Sequence, residues 1–149
     1  MSRLPTRTVV TWESTFFNST TPLSYFINPN CFGDDAAKWL IRRLQVAGLE
    51  ADARPDQEDF GWYFRFAAGE NRYLVIVGYQ PGDSAHESGR WVGLIEPAAR
   101  WRALFKKGDL RAGAAAVHEA LREAPEARDV QWYFKDEFDG GATAGSPTP

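Results

Sequence analysis

The chain has 149 residues, a formal net charge of −3 at pH 7, 44% hydrophobic residues and 14% aromatic residues, including 6 tryptophans. This length is typical of a single domain, and the apolar content is too high for an intrinsically disordered chain. The weak negative charge excludes a general electrostatic attraction to nucleic acid or to an acidic membrane surface.

Targeting signals and the number of cysteines indicate the cellular compartment in which we expect the chain. The longest apolar runs, such as Tyr73–Val77, are far shorter than the roughly 20 residues that a membrane-spanning helix needs. Residues 1–8 lack the apolar stretch of a signal peptide. We therefore expect a cytoplasmic protein. The single cysteine, Cys31, excludes an intrachain disulfide and a multi-cysteine metal site.

The carboxyl-terminal residues differ in composition from the rest of the chain. Residues 139–149 consist mainly of Gly, Ala, Thr, Ser and Pro, which bury little apolar surface. The sequence therefore predicts a single domain over residues 1–138 and a disordered tail over residues 139–149.

The first third of the chain predicts two strands followed by a helix. Thr8–Trp12 and Leu23–Ile27 have the composition of strands and are separated by a polar turn. Asp34 and Asp35 then favour a helix start, because carboxylates accept free amide hydrogens and oppose the positive end of the helix dipole. The helix over residues 34–47 has a buried stripe of Ala37, Leu40, Ile41 and Leu44, and Gly48 ends it.

The middle of the chain predicts three successive antiparallel strands. Apolar and polar residues alternate over residues 60–67, with the polar loop of residues 54–59 before them. A turn at residues 68–71 leads to Tyr73–Tyr79, which is apolar on both faces and therefore predicts a central strand. Trp91–Ile95 predicts the third strand after a second polar loop.

The last third predicts two helices and a strand. Residues 97–107 have apolar side chains at helical spacing on a basic background and predict a short amphipathic helix. A longer helix follows from Asp109 and ends before Pro125. Alternation over Val130–Phe134 predicts the final strand.

These elements together predict an α+β fold. Two helices that are each apolar on one stripe can both be covered by one face of a mostly antiparallel sheet. We therefore expect a two-layer sandwich with both main helices on one face, in the ferredoxin-like pattern with an additional strand. The other face of the sheet would then remain available for binding.

Candidate catalytic residues are few. His86 lies in a polar loop, and His118 follows the buried stripe of its helix, a position typical of a packed boundary residue. Cys31 precedes a helix start, but Asp34 and Asp35 oppose activation of its thiol. The sequence contains no glycine-rich phosphate-binding loop and no metal-binding spacing such as His-Glu-x-x-His. We therefore assign no catalytic residue, metal or cofactor.

Charge is distributed unevenly along the chain. Residues 32–60 carry a net charge of −3, residues 97–118 a net charge of +4 and residues 119–139 a net charge of −4. The basic stretch is interleaved with aromatic residues, but it offers too few cations for nucleic-acid binding at physiological salt. The acidic set Asp34, Asp35, Glu58 and Asp59 favours helix capping and a basic partner over a metal ion.

The aromatic content exceeds what one buried sheet face requires. The tyrosines of the strands take the opposite parity to the predicted core, so we expect them on an exposed face, where aromatic rings anchor partner proteins or apolar ligands. Trp62 and Trp91 complete this predicted binding set. The tyrosines are Tyr63, Tyr73, Tyr79 and Tyr133.

Two short segments carry a resemblance to a known group of proteins. They are Asn28-Pro29-Asn30-Cys31-Phe32-Gly33-Asp34-Asp35 and Glu58-Asp59-Phe60-Gly61-Trp62. In these segments the chain resembles small uncharacterised bacterial cytoplasmic proteins, some of the kind encoded as immunity partners of toxins. The resemblance extends over roughly the first two thirds of the chain. It implies a cytoplasmic binding protein without a transferable catalytic motif.

Three functions remain open from the sequence. The first is a nonenzymatic protein-binding domain, a toxin-neutralising or regulatory partner, in which acids orient a basic partner and aromatic residues supply affinity. The second is a small-molecule-binding domain whose aromatic cleft takes an apolar or cationic ligand. The third is a small hydrolase that uses His86 or Cys31. Membrane and nucleic-acid partners are disfavoured in all three.

Overall fold

The structure is a computed structural model. It describes residues 6–59, 61–82, 89–98, 110–142 and 144–149, which form an α+β fold of three helices and one seven-stranded antiparallel sheet. None of the helices in these ranges is long and apolar enough to cross a membrane. The elements are β1 (Val9–Glu13), α1 (Asp34–Val46), β2 (Glu50–Ala51), β3 (Asp56–Glu58), β4 (Gly61–Ala68), β5 (Asn71–Gln80), β6 (Arg90–Pro97), α2 (Leu110–Arg122), β7 (Arg128–Tyr133) and α3 (Lys135–Asp139).

The sheet is open, with the strand order β2-β4-β5-β6-β1-β7. Strands β4, β5 and β6 are consecutive and antiparallel, which confirms the three predicted strands and the central position of β5. The short strands β2 and β3 both pair with β4, along the edge that β5 does not occupy. Short edge strands of this kind limit unwanted pairing with other chains.

One face of the sheet is rich in aromatic side chains. Trp62, Phe64 and Phe66 of β4 lie opposite Val77, Val75 and Tyr73 of β5, and all six residues are buried. The same face continues through Trp91 and Ile95 on β6 and through Trp12 on β1. Because strand side chains alternate between faces, this register places all of these residues in one core.

The two long helices pack against this aromatic face and against each other. Helix α1 buries Leu40 and Leu44, as its predicted stripe requires, and α2 buries Val117 and Leu121. Helix α2 approaches β5 closely at Gly113, where an added Cβ would lie 2.6 Å from the ring of Tyr73. A glycine at this position therefore sets the distance between helix and sheet.

The two helices are also joined by a charged hydrogen bond. The Nε of Arg43, in the last turn of α1, donates to the backbone oxygen of Ala120 at 2.7 Å. Ala120 lies in the last turn of α2. The guanidinium therefore stabilises a carbonyl at the negative end of the α2 dipole.

Several predicted elements differ from the observed ones. Leu23–Ile27 forms turns rather than a strand, because the backbone N–H of Ile27 donates to the side chain of Gln57 and not to another strand. Strand β3 lies where the polar loop of residues 54–59 was expected, and β2 was not predicted; both pair with β4. The proposed amphipathic helix over residues 97–107 falls almost entirely on residues 99–109, outside the described ranges, while Pro97 ends β6.

The carboxyl-terminal residues return to the sheet. After α3, Ser146 pairs with Trp132 of β7 through two backbone hydrogen bonds: the Ser146 N–H donates to the Trp132 oxygen at 2.8 Å, and the Trp132 N–H donates to the Ser146 oxygen at 2.6 Å. Added side-chain atoms at Gly145 would collide with Gln131 and Tyr133, so the backbone passes close to β7 here. The domain boundary at residue 138 stays a prediction.

Candidate functional site

The chain between β1 and α1, residues 14–33, completes the cover of the aromatic face at one end of the sheet. We call it the β1–α1 connection. The ring of Phe17 meets Trp91 edge-on at a centroid distance of 5.5 Å. The ring of Phe26 lies 4.9 Å from that of Trp62. The connection therefore belongs to the core on its inner side.

A buried side chain of the edge strand β3 fixes the second half of this connection. The Oε1 of Gln57 accepts the backbone N–H groups of Ile27 at 2.5 Å and Asn28 at 3.2 Å, and its Nε2 donates to the Asn28 oxygen at 2.9 Å. In addition, the Nε1 of Trp62 donates to the Cys31 oxygen at 2.9 Å. Gln57 thus takes the place of a partner strand for these backbone groups.

The first half of the connection is held at the start of α1. The Oδ2 of Asp35 accepts the backbone N–H of Asn18 at 2.7 Å. Asn18 in turn orders the following turn, because its Oδ1 accepts the N–H of Thr20 and Thr21 and its Nδ2 donates to the Thr21 oxygen. Asp35 is therefore used for structure and is only partly exposed.

The outer side of the connection carries large apolar side chains in water. Phe16 is 65% exposed, Leu23 43%, Tyr25 53% and Ile27 78%. We call these four residues the apolar rim. Among the described residues only Val46, at the end of α1, is a further exposed large hydrophobic side chain. One segment therefore holds nearly all of the exposed apolar side chains found in the described part of the chain, which is typical of an interaction site.

Tyr25 is oriented by a small polar network. Its hydroxyl donates to the Oδ2 of Asp34, which is buried, and the Nζ of Lys38 lies 3.1 Å from the same oxygen. The ammonium group also lies 5.3 Å from the centre of the Tyr25 ring. Asp34 is therefore paired within the protein and is not an exposed acid for a partner.

Tyr25 and Lys38 both stay protonated at neutral pH. Burial and the hydrogen bond to Asp34 raise the pKa of Tyr25 above 10.0, so the phenol stays protonated. Burial lowers the pKa of Lys38, but the hydrogen bonds with Asp34 and Tyr25 outweigh it and raise this pKa above 10.5. Both groups consequently serve to hold the ring in place.

The other two predicted acids lie at the neighbouring sheet edge. Glu58 and Asp59 are exposed, directly after Gln57. Burial, with a smaller contribution from the charge of Asp59, raises the pKa of Cys31. Across the described ranges, no group of three or more His, Cys, Asp or Glu residues is placed to hold a metal ion. The structure thus separates the acids into a paired set on α1 and an exposed set beside β3.

The prediction that Tyr73 and Tyr79 lie on an exposed face is wrong. Tyr73 is fully buried, and Tyr79 is half-buried with its ring 4.9 Å from Trp91. The register of β5 explains the error, since both residues share the parity of Val75 and Val77 and therefore face the helices. Trp62 and Trp91 are buried in the same core, which for Trp62 agrees with the inward parity that the alternation over residues 60–67 predicts.

Tyr63 and Tyr133 do lie on the opposite face of the sheet, but that face is not open over its whole area. Tyr63 is half-buried. Tyr133 is buried, with its ring 5.2 Å from that of Phe138 on α3 and its hydroxyl accepting from Arg90 at 3.3 Å. Thr11 of β1, which shares this face, is buried as well. The predicted exposed tyrosine surface is therefore replaced by the apolar rim.

Two of the candidate catalytic residues, His118 and Cys31, lie in environments that do not activate them. The Nδ1 of His118 accepts the indole N–H of Trp132 at 3.0 Å, which requires the imidazole to be neutral with its proton on Nε2. Burial raises the pKa of Cys31 above 9.0, so its thiol is not activated as a nucleophile. His86 lies outside the described residues.

Comparison with known proteins adds no family to these observations. No protein-family model matches the chain, and neither a curated protein nor a solved structure matches it significantly. The function is therefore inferred from the chemistry of the site.

The environment of His118 predicts a pH dependence of folding stability. Burial, aided by the charge of Arg122 and opposed by that of Glu119, lowers the pKa of His118 below 6.5. The unfolded chain therefore binds a proton more readily than the folded chain, and this contribution to stability is present above pH 6.5 and is lost as the pH falls below 6.5 through the lower pKa of the folded state.

Denaturant titration of the wild type and of His118→Gln, between about pH 7.5 and about pH 5.5, measures this contribution. We expect the difference in unfolding free energy between the two proteins to be larger at the higher pH, since only the wild type loses stability by protonation of His118. A difference that is constant over this range contradicts the assignment.

Proposed function

We propose that this chain is a nonenzymatic protein-binding domain that uses the apolar rim as its binding surface. The observation that carries the proposal is the state of Ile27, whose side chain is 78% exposed while its backbone N–H is bound to the buried Gln57. A large apolar side chain left in water forgoes about 1.5–3 kcal/mol of burial free energy. A partner that covers it recovers this free energy.

Fixing the rim before binding strengthens such an interaction. Immobilising a flexible side chain or loop during association costs about 0.5–1.5 kcal/mol per residue. Here Gln57 and Asp35 hold the backbone of the connection, and Asp34 holds the ring of Tyr25. Much of the ordering is thus complete in the free protein, as expected for an anchor residue.

Charge favours a partner with a basic surface. Glu58 and Asp59 are exposed and form no ion pair with any residue in the described ranges. The side chain of Glu58 faces away from the connection, because the neighbouring Gln57 faces towards it. These acids therefore act at a distance within the Debye length of about 8–10 Å, by orienting a basic partner during its approach.

We propose further that the partner is a toxin or a regulated protein of the cytoplasm, as the resemblance of residues 28–35 and 58–62 implies. Support comes from the contact between these two segments, since Trp62 donates to the Cys31 oxygen. Gln57, which directly precedes the second segment, also binds Asn28 of the first. The segments that carry the resemblance thus lie together beside the apolar rim.

The architecture that supports this site is proposed to be a two-layer sandwich in the ferredoxin-like pattern. Strands β1, β4, β5 and β7 with helices α1 and α2 follow the order strand, helix, strand, strand, helix, strand along the chain. Strand β6 then corresponds to the additional strand that the sequence predicts, and it lies between β5 and β1 in the sheet. The short strands β2 and β3 are two further additions, both paired with β4.

A comparison of Ile27→Asp with Val46→Asp tests the binding surface. Val46 is 84% exposed, but it lies at the end of α1 and outside the rim, so it serves as a matched control. We expect proteins captured by the wild type to be retained by Val46→Asp and to lose at least about tenfold in affinity on Ile27→Asp, equivalent to about 1.4 kcal/mol. Quantitative mass spectrometry after affinity capture, followed by titration of the retained protein, gives both values. Equal retention of the captured proteins by the two variants would contradict the proposal.

Charge reversal at the sheet edge tests the role of the acids separately. With a captured partner in hand, we expect Glu58→Lys combined with Asp59→Lys to slow association by roughly tenfold at low salt, while dissociation changes little. The effect should shrink at high salt, because the acids act through long-range steering. Stopped-flow or surface-based kinetics measures both rates, and an unchanged association rate removes these two residues from the site.

A further inference from the structure

An open cleft of about 350 Å³ adjoins the first residues of the β1–α1 connection. One wall is formed by Ser14, Thr15 and Phe16, and the other by the loop after α2, with Pro125, Glu126 and Arg128. The two walls are brought together by the pairing of β1 with β7, in which Glu13 lies opposite Arg128. A volume of this size lies at the lower end of the range for small-ligand sites, which is roughly 300–1,000 Å³.

The carboxylate of Glu126 lines the cleft, and one of its oxygens lacks a hydrogen-bond donor. Its Oε2 atom is buried and accepts no hydrogen bond from any residue in the described ranges. Arg128, two residues away, forms no ion pair with it. A carboxylate that has lost water on one oxygen without gaining a donor binds a cation more favourably than a fully hydrated one does.

The remaining wall residues suit a short apolar stem. The ring of Phe16 is 65% exposed, and Pro125 faces the same cleft. An aromatic ring attracts both an alkyl chain and a cation placed over its face. The hydroxyl of Ser14 accepts the N–H of Phe16 at 3.1 Å, which fixes the backbone beside the ring.

The charges around the cleft favour a positive ligand. Glu126 lines the cleft, and Glu13 lies opposite the lining residue Arg128 in the β1–β7 pair. Arg122 is already paired with Glu119 at 3.0 Å and lies 3.8 Å from Glu123. Arg128 is the cation that lines the cleft, but it is exposed, so water screens its repulsion of a second cation.

We propose that this cleft binds an alkylammonium or alkylguanidinium group, with the cation at Glu126 and the alkyl stem against Phe16 and Pro125. The same chemistry is offered by a free organic cation and by a lysine or arginine side chain of a protein. The site shares Phe16 with the apolar rim, but its recognition of the cation rests on Glu126 and not on Ile27.

Nuclear magnetic resonance titration of the full chain with n-butylammonium and n-butylguanidinium tests the site. n-Butanol at equal ionic strength serves as the neutral control. We expect saturable shifts of the backbone amide signals of Ser14, Thr15, Phe16 and Arg128 with the two cations and not with the alcohol. Shifts confined to other residues, or equal shifts with butanol, overturn the proposal.

Two glutamine variants separate the site from general charge attraction. Glu126→Gln should weaken binding of n-butylammonium by about tenfold, equivalent to about 1.4 kcal/mol. Glu123→Gln, which removes an exposed carboxylate three residues earlier, should leave the affinity unchanged. Both variants should keep the amide spectrum of the wild type away from the cleft. Equal affinity of the two variants contradicts the assignment of Glu126.

Capped tripeptides identify the source of the cation. Acetyl-Gly-Lys-Gly-amide or acetyl-Gly-Arg-Gly-amide that displaces n-butylammonium from the cleft assigns the site to a protein side chain. Binding of the free cations with no displacement by either peptide assigns it to a small ligand. In both cases the cation site is supported, and its failure would leave the result for Ile27→Asp unaffected.

Discussion

The whole structure depends on one requirement, which is that the aromatic face of the sheet must be shielded from water. Helices α1 and α2 pack over most of that face, but Trp62 and Trp91 lie towards the end where α1 begins, and their rings are completed by Phe26 and Phe17. Large aromatic rings contribute much of the burial free energy of a small domain. The β1–α1 connection is therefore held against the core, although it forms neither helix nor strand.

The inward packing of Phe17 and Phe26 determines which side chains the outer side of the β1–α1 connection exposes. Residues that flank Phe17 and Phe26 in the sequence, above all Phe16 and Ile27, are directed to water because their neighbours occupy the core. Gln57 supplies the hydrogen bonds that this irregular backbone would otherwise lack. The result is an ordered set of exposed apolar side chains beside a cleft that contains Glu126.

The helices and the long strands are predictable from the sequence because local periodicity determines them. The buried stripe predicted for α1 and the alternation predicted for β4 are both observed in the structure.

Tertiary contacts determine the features that the sequence does not predict. The register of β5 places Tyr73 and Tyr79 towards the helices, and a run that is apolar on both faces does not show which parity is inward. Likewise, Gln57 was an ordinary polar loop residue in the sequence, and its role depends on residues about thirty positions away. The apolar residues of Leu23–Ile27 were the available signal for the rim, but their composition predicted a strand.

The central claim is that the β1–α1 connection is an ordered part of the core with an outward apolar surface. Nuclear magnetic resonance of the free protein measures this most directly, through backbone order parameters over residues 16–27 and proton–proton contacts between the rings of Phe26 and Trp62 and of Phe17 and Trp91. We expect order parameters near 0.85, as in rigid backbone, together with both ring contacts. Order parameters below about 0.6 with neither ring contact would show a flexible loop and contradict the account.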